Sequence, residues 1–261
     1  MKKTILVTGA TDGIGLQAAQ KLSALGHTLL IHGRNFEKLR QVANSLLAEN
    51  ESIFIYQADF SDLQQVKKMA NEIKQSHPKI DVVINNAGVL KSSTEINVGE
   101  IDIRFRVNTI APFILTQFLL ENLANLARVV NLASAAQAGF DLKFLEGKVY
   151  SDAMKAYAES KLALIVWTFA MATTAQNNTQ FIAINPGSLL ATKMVKEGFG
   201  IVGKDISIGA DILVETALDD KFANANGRYF DNDIAKFSQP DAIALDSKLQ
   251  QALLQALERF L

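Results

Sequence analysis

Tyr157 and Lys161 stand four residues apart in Tyr157-Ala158-Glu159-Ser160-Lys161, inside a stretch with helical patterning. That spacing puts both side chains on one helix face. A phenol with a pKa near ~10 is a poor base at neutral pH, and an ammonium beside it favours the phenolate. The pair is equipped to pass a proton at a reacting oxygen. Such a pair taken alone is also an ordinary surface contact, so its weight rests on what surrounds it. Ser134, closing the run Val130-Asn131-Leu132-Ala133-Ser134, offers a hydroxyl that would orient a substrate oxygen. Asn85-Asn86-Ala87-Gly88 is small and polar, suited to a wall beside a bound molecule, and Asn108 lies between these two runs.

A second constellation is built to bind. Thr8-Gly9-Ala10-Thr11-Asp12-Gly13-Ile14-Gly15 follows a short apolar run and opens a helical pattern. Gly9 permits a tight turn, Gly13 lets backbone approach a phosphate, and Gly15 allows close packing of helix on strand. The helix N-terminus then offers N–H groups and a positive dipole end to a pyrophosphate. The spacing is G-x-x-x-G-x-G rather than the commoner G-x-G-x-x-G. The second apolar run ends in His32-Gly33-Arg34-Asn35, with no carboxylate for the ribose hydroxyls of NAD. Arg34 offers a guanidinium fork to a 2′-phosphate instead, and Lys38 adds charge one turn on. NADP(H) is therefore the expected cofactor over NAD(H), although Asp12 beside the phosphates works against that charge balance.

The elements that must hold these residues alternate. Short β-branched runs at 4–8, 28–32, 52–57, 81–85, 128–132, 180–185 and 228–230 are separated by longer helical patterns. This is the sign of βαβ units and a parallel sheet with helices on both faces. A helix from Gly13 stops at Gly26, Asn35 can cap the next, and Ser61 with Asp62 a third. Longer helical stretches run from 100 to 127 and from 152 to 174. Ser207 is placed as the cap of a helix through Leu218, and a last amphipathic helix covers 247–260. The segments 135–151 and 188–206 lack periodicity and follow strands, so both are candidate substrate loops. Gly198, Gly200 and Gly203 suit the latter to closing as a lid.

Composition narrows the classes. The chain has 261 residues, 49% of them hydrophobic, with 26 basic and 27 acidic side chains. No charge excess points to nucleic acid or an acidic membrane surface. Cysteine is absent, which removes disulfides, thiolate metal sites and cysteine nucleophiles. His27, His32 and His77 are scattered without ligand spacing, so no metal is expected. No apolar run approaches the roughly 18 residues of a spanning helix, and the expected location is cytoplasmic. Trp167 reads as helix core; Phe140, Phe144 and Tyr150 read as packing of a long loop, with the lining of a substrate pocket as the alternative.

These motifs, in this order from Thr8 to about Phe230, resemble the short-chain dehydrogenase/reductase family. The resemblance implies a Rossmann fold in one domain over 1–261: α/β, doubly wound, with a mostly parallel seven-stranded sheet. It implies Tyr157 as general acid/base, Lys161 on the nicotinamide ribose, Ser134 steadying the substrate oxygen and Asn108 supporting the lysine through a relay water. Asp59 and Phe60 would lie at the adenine. Gly9, Thr11, Asp12, Gly13, Ile14, Gly15, Arg34 and Asn35 would surround the phosphates and ribose. Asn86, Ala87, Gly88, Pro186 and Gly187 would border the rest of the cofactor. The long stretch between Ser134 and Tyr157 resembles the branch of retinol dehydrogenases, protochlorophyllide reductases and WW-domain oxidoreductases, which implies a bulky or lipophilic substrate. Thr192 comes one residue later after Pro-Gly than the family pattern places its threonine. A homodimer or homotetramer follows from the resemblance alone. Two other readings stay open: an NADP(H)-binding sensor without chemistry, and a carbon–carbon double-bond reductase on the same fold.

Overall fold

A computed structural model describes residues 1–47, 50–91, 100–174 and 178–261. The strands are β1 (Thr4–Val7), β2 (Thr28–Gly33), β3 (Ile53–Gln57), β4 (Ile80–Asn85), β5 (Leu123–Leu132), β6 (Gln180–Asn185), β7 (Arg228–Asp231) and β8 (Lys236–Ser238). They form one sheet in the order β3-β2-β1-β4-β5-β6-β7-β8. All neighbouring pairs are parallel except β7 with β8. Among the described residues the sheet thus has eight strands where the sequence predicts seven. The extra one is three residues long and carries Lys236 and Ser238 around Phe237, too short to show a period.

Strand residues alternate between two cores. Leu6, Leu30, Val83 and Val129 point to one face, under α3 (Leu63–Ser76), α5 (Ala111–Leu119), α6 (Ala153–Thr174) and α9 (Ser247–Glu258). Ile5, Val7, Ile31, Ile84 and Val130 point to the other, under α1 (Gly13–Ala24), α2 (Phe36–Leu47) and α8 (Ser207–Leu218). Both faces being dry explains why the strands read as continuous apolar runs. Helix α6 is apolar on nearly every side and buried on nearly every side, with Trp167 fully enclosed. Leu253 and Leu257 of α9 are buried in the same core.

Three local expectations change. The stretch 100–127 is a short turn of α4 (Ile103–Phe105), a π-helical turn over Arg106–Ile110, then α5, a 3₁₀ turn and the start of β5. Pro112 accounts for the irregularity. It has no N–H for the Asn108 carbonyl four residues back, and the turn widens so that Ala111 N bonds to Arg106 O. Asp62 rather than Ser61 caps α3, accepting from Gln64 N and Gln65 N. Ser207 is the first residue of α8, and its N–H and hydroxyl donate to Asp205 at 2.9 and 2.7 Å. The two candidate loops are partly ordered: 135–151 contains a 3₁₀ helix (Leu142–Glu146) and 188–206 contains α7 (Lys193–Phe199). Among the described residues no helix is long and apolar enough to cross a membrane.

Candidate active site

Strand order reverses direction on either side of β1, between β2 and β4. A crevice opens outside the carboxyl ends of strands at such a point, and the predicted residues gather along it. The glycine turn leaves β1 there. Gly9 has φ +67° and Gly13 φ +58°, in the left-handed region that favours glycine. A Cβ at Gly15 would overlap the Asn86 amide nitrogen and the Gly9 carbonyl, so only glycine lets α1 start this close to β1 and β4. The first N–H groups of α1 have no acceptor within the helix. Asp12 caps that end and accepts from Gly13 N at 2.7 Å. This cradle, which side chains would fill, fits a pyrophosphate.

Asn86 ties the turn down. Its amide donates to Thr8 O at 2.8 Å and Gly9 O at 3.2 Å, while Asn86 N and Ala87 N both donate to the Thr8 hydroxyl at 3.0 Å. On the other side, Gly9 N donates to His32 Nδ1 at 3.2 Å and His32 Nε2 lies 3.0 Å from Ala58 O. The Gly9 bond needs a bare Nδ1, so His32 is neutral with its proton on Nε2. Phe60 stacks on this imidazole with centroids 4.2 Å apart. The side chain of Phe60 is thus enclosed, 4% exposed, under the turn rather than facing an open adenine site. Sequence reasoning set His32 aside for lacking ligand spacing. Its signal was its position at the end of the strand beside the glycine turn.

Burial lowers the His32 pKa to about 4. Between there and the ordinary value of 6.5 the unfolded chain takes up a proton that the fold refuses. Stability therefore falls as pH drops through this window, by about 3 kcal/mol for the full shift. Denaturant unfolding across pH 7 to 4 is expected to show this loss in the native chain and its absence in His32→Gln. Parallel profiles for the two proteins would contradict it.

Arg34 and Asn35 follow β2, both exposed. Asn35 accepts from Lys38 N at 2.9 Å and so starts α2. A Cβ on Gly33 would lie 2.5 Å from Thr11 Cγ2, which places Thr11 over the end of β2. Asp59, after β3, accepts from Ser61 N and Oγ at 2.9 and 2.7 Å. Ile14 packs near Gly209 of α8.

The residues that the sequence reading assigns to proton transfer lie at the ends of β4 and β5. Lys161 is 4% exposed and donates from Nζ to Leu132 O at 2.6 Å. Its ammonium lies 5.8 Å from the Tyr157 ring centre. A Cβ on Gly88 would sit 3.4 Å from Asn108 Oδ1 and 3.5 Å from Lys161 Nζ, so these three residues share one corner. The Asn108 side chain is clasped: Oδ1 accepts from Val89 N at 2.8 Å, and Nδ2 donates to Val89 O and Ser160 Oγ, each at 3.0 Å. Tyr157 is partly buried. Burial raises its pKa and the Ser134 hydroxyl opposes the rise. Burial also lowers the Lys161 pKa to about 7. In the protein alone, then, Tyr157 is held as the phenol, opposite to the lowering that an adjacent ammonium suggests.

Pro186 and Gly187 follow β6, Pro186 buried and Gly187 at φ +121°. Thr192 caps α7, its hydroxyl accepting from Val195 N at 3.2 Å. A Cβ on Gly13 would lie 3.8 Å from Thr192 Cγ2 and 3.9 Å from Ile206, so the 188–206 segment arches over the glycine turn. Among the described residues no cluster of three or more potential metal ligands occurs.

The chain is similar to known proteins. A family model described as short chain dehydrogenase matches residues 3–199. Retinol dehydrogenase 13 of Homo sapiens is 28% identical over 264 residues, spanning 92% of this chain and 79% of that one. Retinol dehydrogenase 12 of Mus musculus is 30% identical over 243 residues, spanning 87% and 77%. Among solved structures, a short chain dehydrogenase of Shigella flexneri 2a complexed with NADP is 29% identical with a TM-score of 0.69, covering 88% of this chain and 96% of that one. A protein of Mycobacterium paratuberculosis shares the fold at a TM-score of 0.81 over 99% of this chain and 92% of its own, with 23% identity. With most of its length matched by that model, and with the glycine turn and the Tyr157/Lys161 helix meeting at one crevice, the chain belongs to the short-chain dehydrogenase family.

Proposed function

We propose that the chain transfers a hydride reversibly between NADP(H) and the carbonyl or alcohol carbon of a small lipophilic molecule. The nicotinamide supplies or accepts the hydride. Lys161, buried and held to Leu132 O one helical turn from Tyr157, carries the reading. A lysine in that place has no packing purpose that a leucine would not serve better. Tyr157, held as the phenol, gives a proton to the oxygen of a carbonyl as it becomes an alcohol, and takes one back in the reverse direction. Ser134 orients that oxygen. Lys161 holds ribose hydroxyls, and Asn108 secures the corner beside Gly88 with its side chain, while Pro112 leaves its carbonyl without the usual helical donor.

The preference for NADP(H) rests on Arg34 and on the absence of a carboxylate at the end of β2. Solved relatives complexed with NADP or NADPH support the same choice. A lipophilic substrate is supported by the names of the relatives, retinol and polyprenol dehydrogenases among them. The test is a panel of carbonyl compounds run with NADPH and NADH side by side, with product analysis to separate C=O from C=C reduction. Loss of NADPH absorbance with formation of an alcohol is expected. Arg34→Ala is expected to reduce the preference for NADPH over NADH about tenfold or more, since a charge-assisted pair is lost. An unchanged ratio would assign phosphate recognition elsewhere.

A further inference from the structure

The corner after β6 is held by a residue that plays no part in the sequence motifs. Asp233 lies in the turn between β7 and β8, with its side chain 27% exposed. Its carboxylate collects donors from three places. Ser188 N donates to Oδ1 at 2.9 Å, and the Ser188 hydroxyl donates to Oδ2. Asn185 Nδ2, at the end of β6, donates to Oδ2 at 2.9 Å and to Asp231 Oδ1 at 2.8 Å. Lys204 Nζ stands 3.8 Å from Oδ1. Lys204 in turn is stitched to the start of the 188–206 segment, its N–H donating to Leu189 O and its carbonyl accepting from Ala191 N, each at 2.7 Å. The neighbouring Asn232 donates to Pro186 O at 2.9 Å. Burial works to raise the Asp233 pKa, yet the bonds from Ser188 and Asn185 and the Lys204 charge outweigh it and leave the pKa lowered. The group is ionised and fully engaged at neutral pH.

We propose that Asp233 is a positioning residue: it clamps the Pro186-Gly187-Ser188 corner to the β7–β8 turn and, through Lys204, sets the base of the 188–206 segment, so that it governs where nicotinamide and substrate meet. The consequence for turnover rests on the NADP(H) reading above, whereas the clamp itself does not. A corner bordering the reacting ring need move only a fraction of its own width to spoil hydride alignment. The bonds of Asp233 run to Asn185, Ser188 and Lys204 and not to Tyr157 or the glycine turn, so its loss acts first on this corner.

The test compares the native chain with Asp233→Ala, Asp233→Asn, Ser188→Ala and the double variant Asp233→Ala/Ser188→Ala. Hydrogen exchange without cofactor reads the clamp directly. In Asp233→Ala, exchange over 186–206 is expected to quicken about tenfold or more while β1, β4 and β5 keep their protection. Steady-state kinetics read the consequence. kcat is expected to fall about tenfold or more, with a smaller rise in KM for NADPH and for the carbonyl substrate. Asp233→Asn, which keeps an acceptor for Ser188 N, is expected to recover part of that loss. The double variant is expected to lose little beyond Asp233→Ala, because the two residues act through one set of bonds. Global loss of protection would make Asp233 a mere stabiliser and overturn the proposal, as would native exchange over 186–206 or a native kcat in Asp233→Ala. A native chain that binds no NADPH would overturn the cofactor reading, and with it the claim on turnover. That failure is told apart because the exchange result needs no cofactor.

Discussion

Tyr157→Phe is expected to lower kcat about a thousandfold for a carbonyl substrate found in the panel, while the Kd for NADPH changes less than about twofold. Phenylalanine keeps the ring that packs beside Lys161 and removes only the hydroxyl proposed to pass the proton. Nothing in the glycine turn, the Asn86 staple or the His32 support touches that hydroxyl, so the cradle for the pyrophosphate stays as it is. The split between kcat and Kd is what distinguishes a proton donor from a residue that shapes the site. Single-turnover mixing of the NADPH-loaded variant with substrate, followed by absorbance, measures the step directly. A variant with native turnover would remove Tyr157 from the mechanism and leave the fold without an assigned acid. The same phenol has its pKa raised by burial, so the proposed acid stays protonated across neutral pH, and a change of rate in that range would follow Lys161, whose pKa burial lowers to about 7.

Gly15→Ala is expected to raise the NADPH Kd at least about tenfold and to destabilise the fold by roughly 1–3 kcal/mol, the usual cost of forcing a methyl into a closed space. The new methyl would overlap both the Asn86 amide and the Gly9 carbonyl. The amide can swing away only by giving up its bonds to Thr8 O and Gly9 O. The carbonyl belongs to the turn itself and cannot move without moving the cradle. Gly139→Ala is the comparison, because there a methyl would meet only Ile243 Cδ1 at 3.5 Å, an ordinary contact. Thermal unfolding and NADPH fluorescence titration on both variants check the claim. Equal behaviour of the two would mean that the turn tolerates displacement, and that the close approach of α1 to β1 is not what binds the phosphates.

Much of this was legible because local chemistry and chain order carry it. The run of β1 into Gly9, Gly13 and Gly15 announces a strand, a tight turn and a helix N-terminus with no help from distant residues. Tyr157 and Lys161 share a helix face by spacing alone, and the dry strands of a sheet covered on both sides show as unbroken apolar runs. What failed was also local in origin. The 100–127 stretch is apolar enough to read as one helix, yet Pro112 opens a π-helical turn at Asn108, and residues from Leu123 onward form β5, paired with β4. Helical periodicity cannot register either event. Strand β8 pairs antiparallel with β7 through three residues, fewer than a period needs.

The sequence by itself determined the class of fold, the glycine turn after β1 and the shared helix face of Tyr157 and Lys161, since each depends on residue type at short separation. Only the tertiary structure decided what holds these parts in place. His32 supports Gly9 across 23 residues, Asn86 reaches back 78 to Thr8, and Asp233 grips Ser188 across 45. Such bonds join residues whose separation along the chain bears no relation to their distance in space. The folded sheet brings β1, β2 and β4 side by side, and β6 beside β7. The direction of the Tyr157 pKa was likewise settled by burial, which depends on every element packed around that crevice and on no motif.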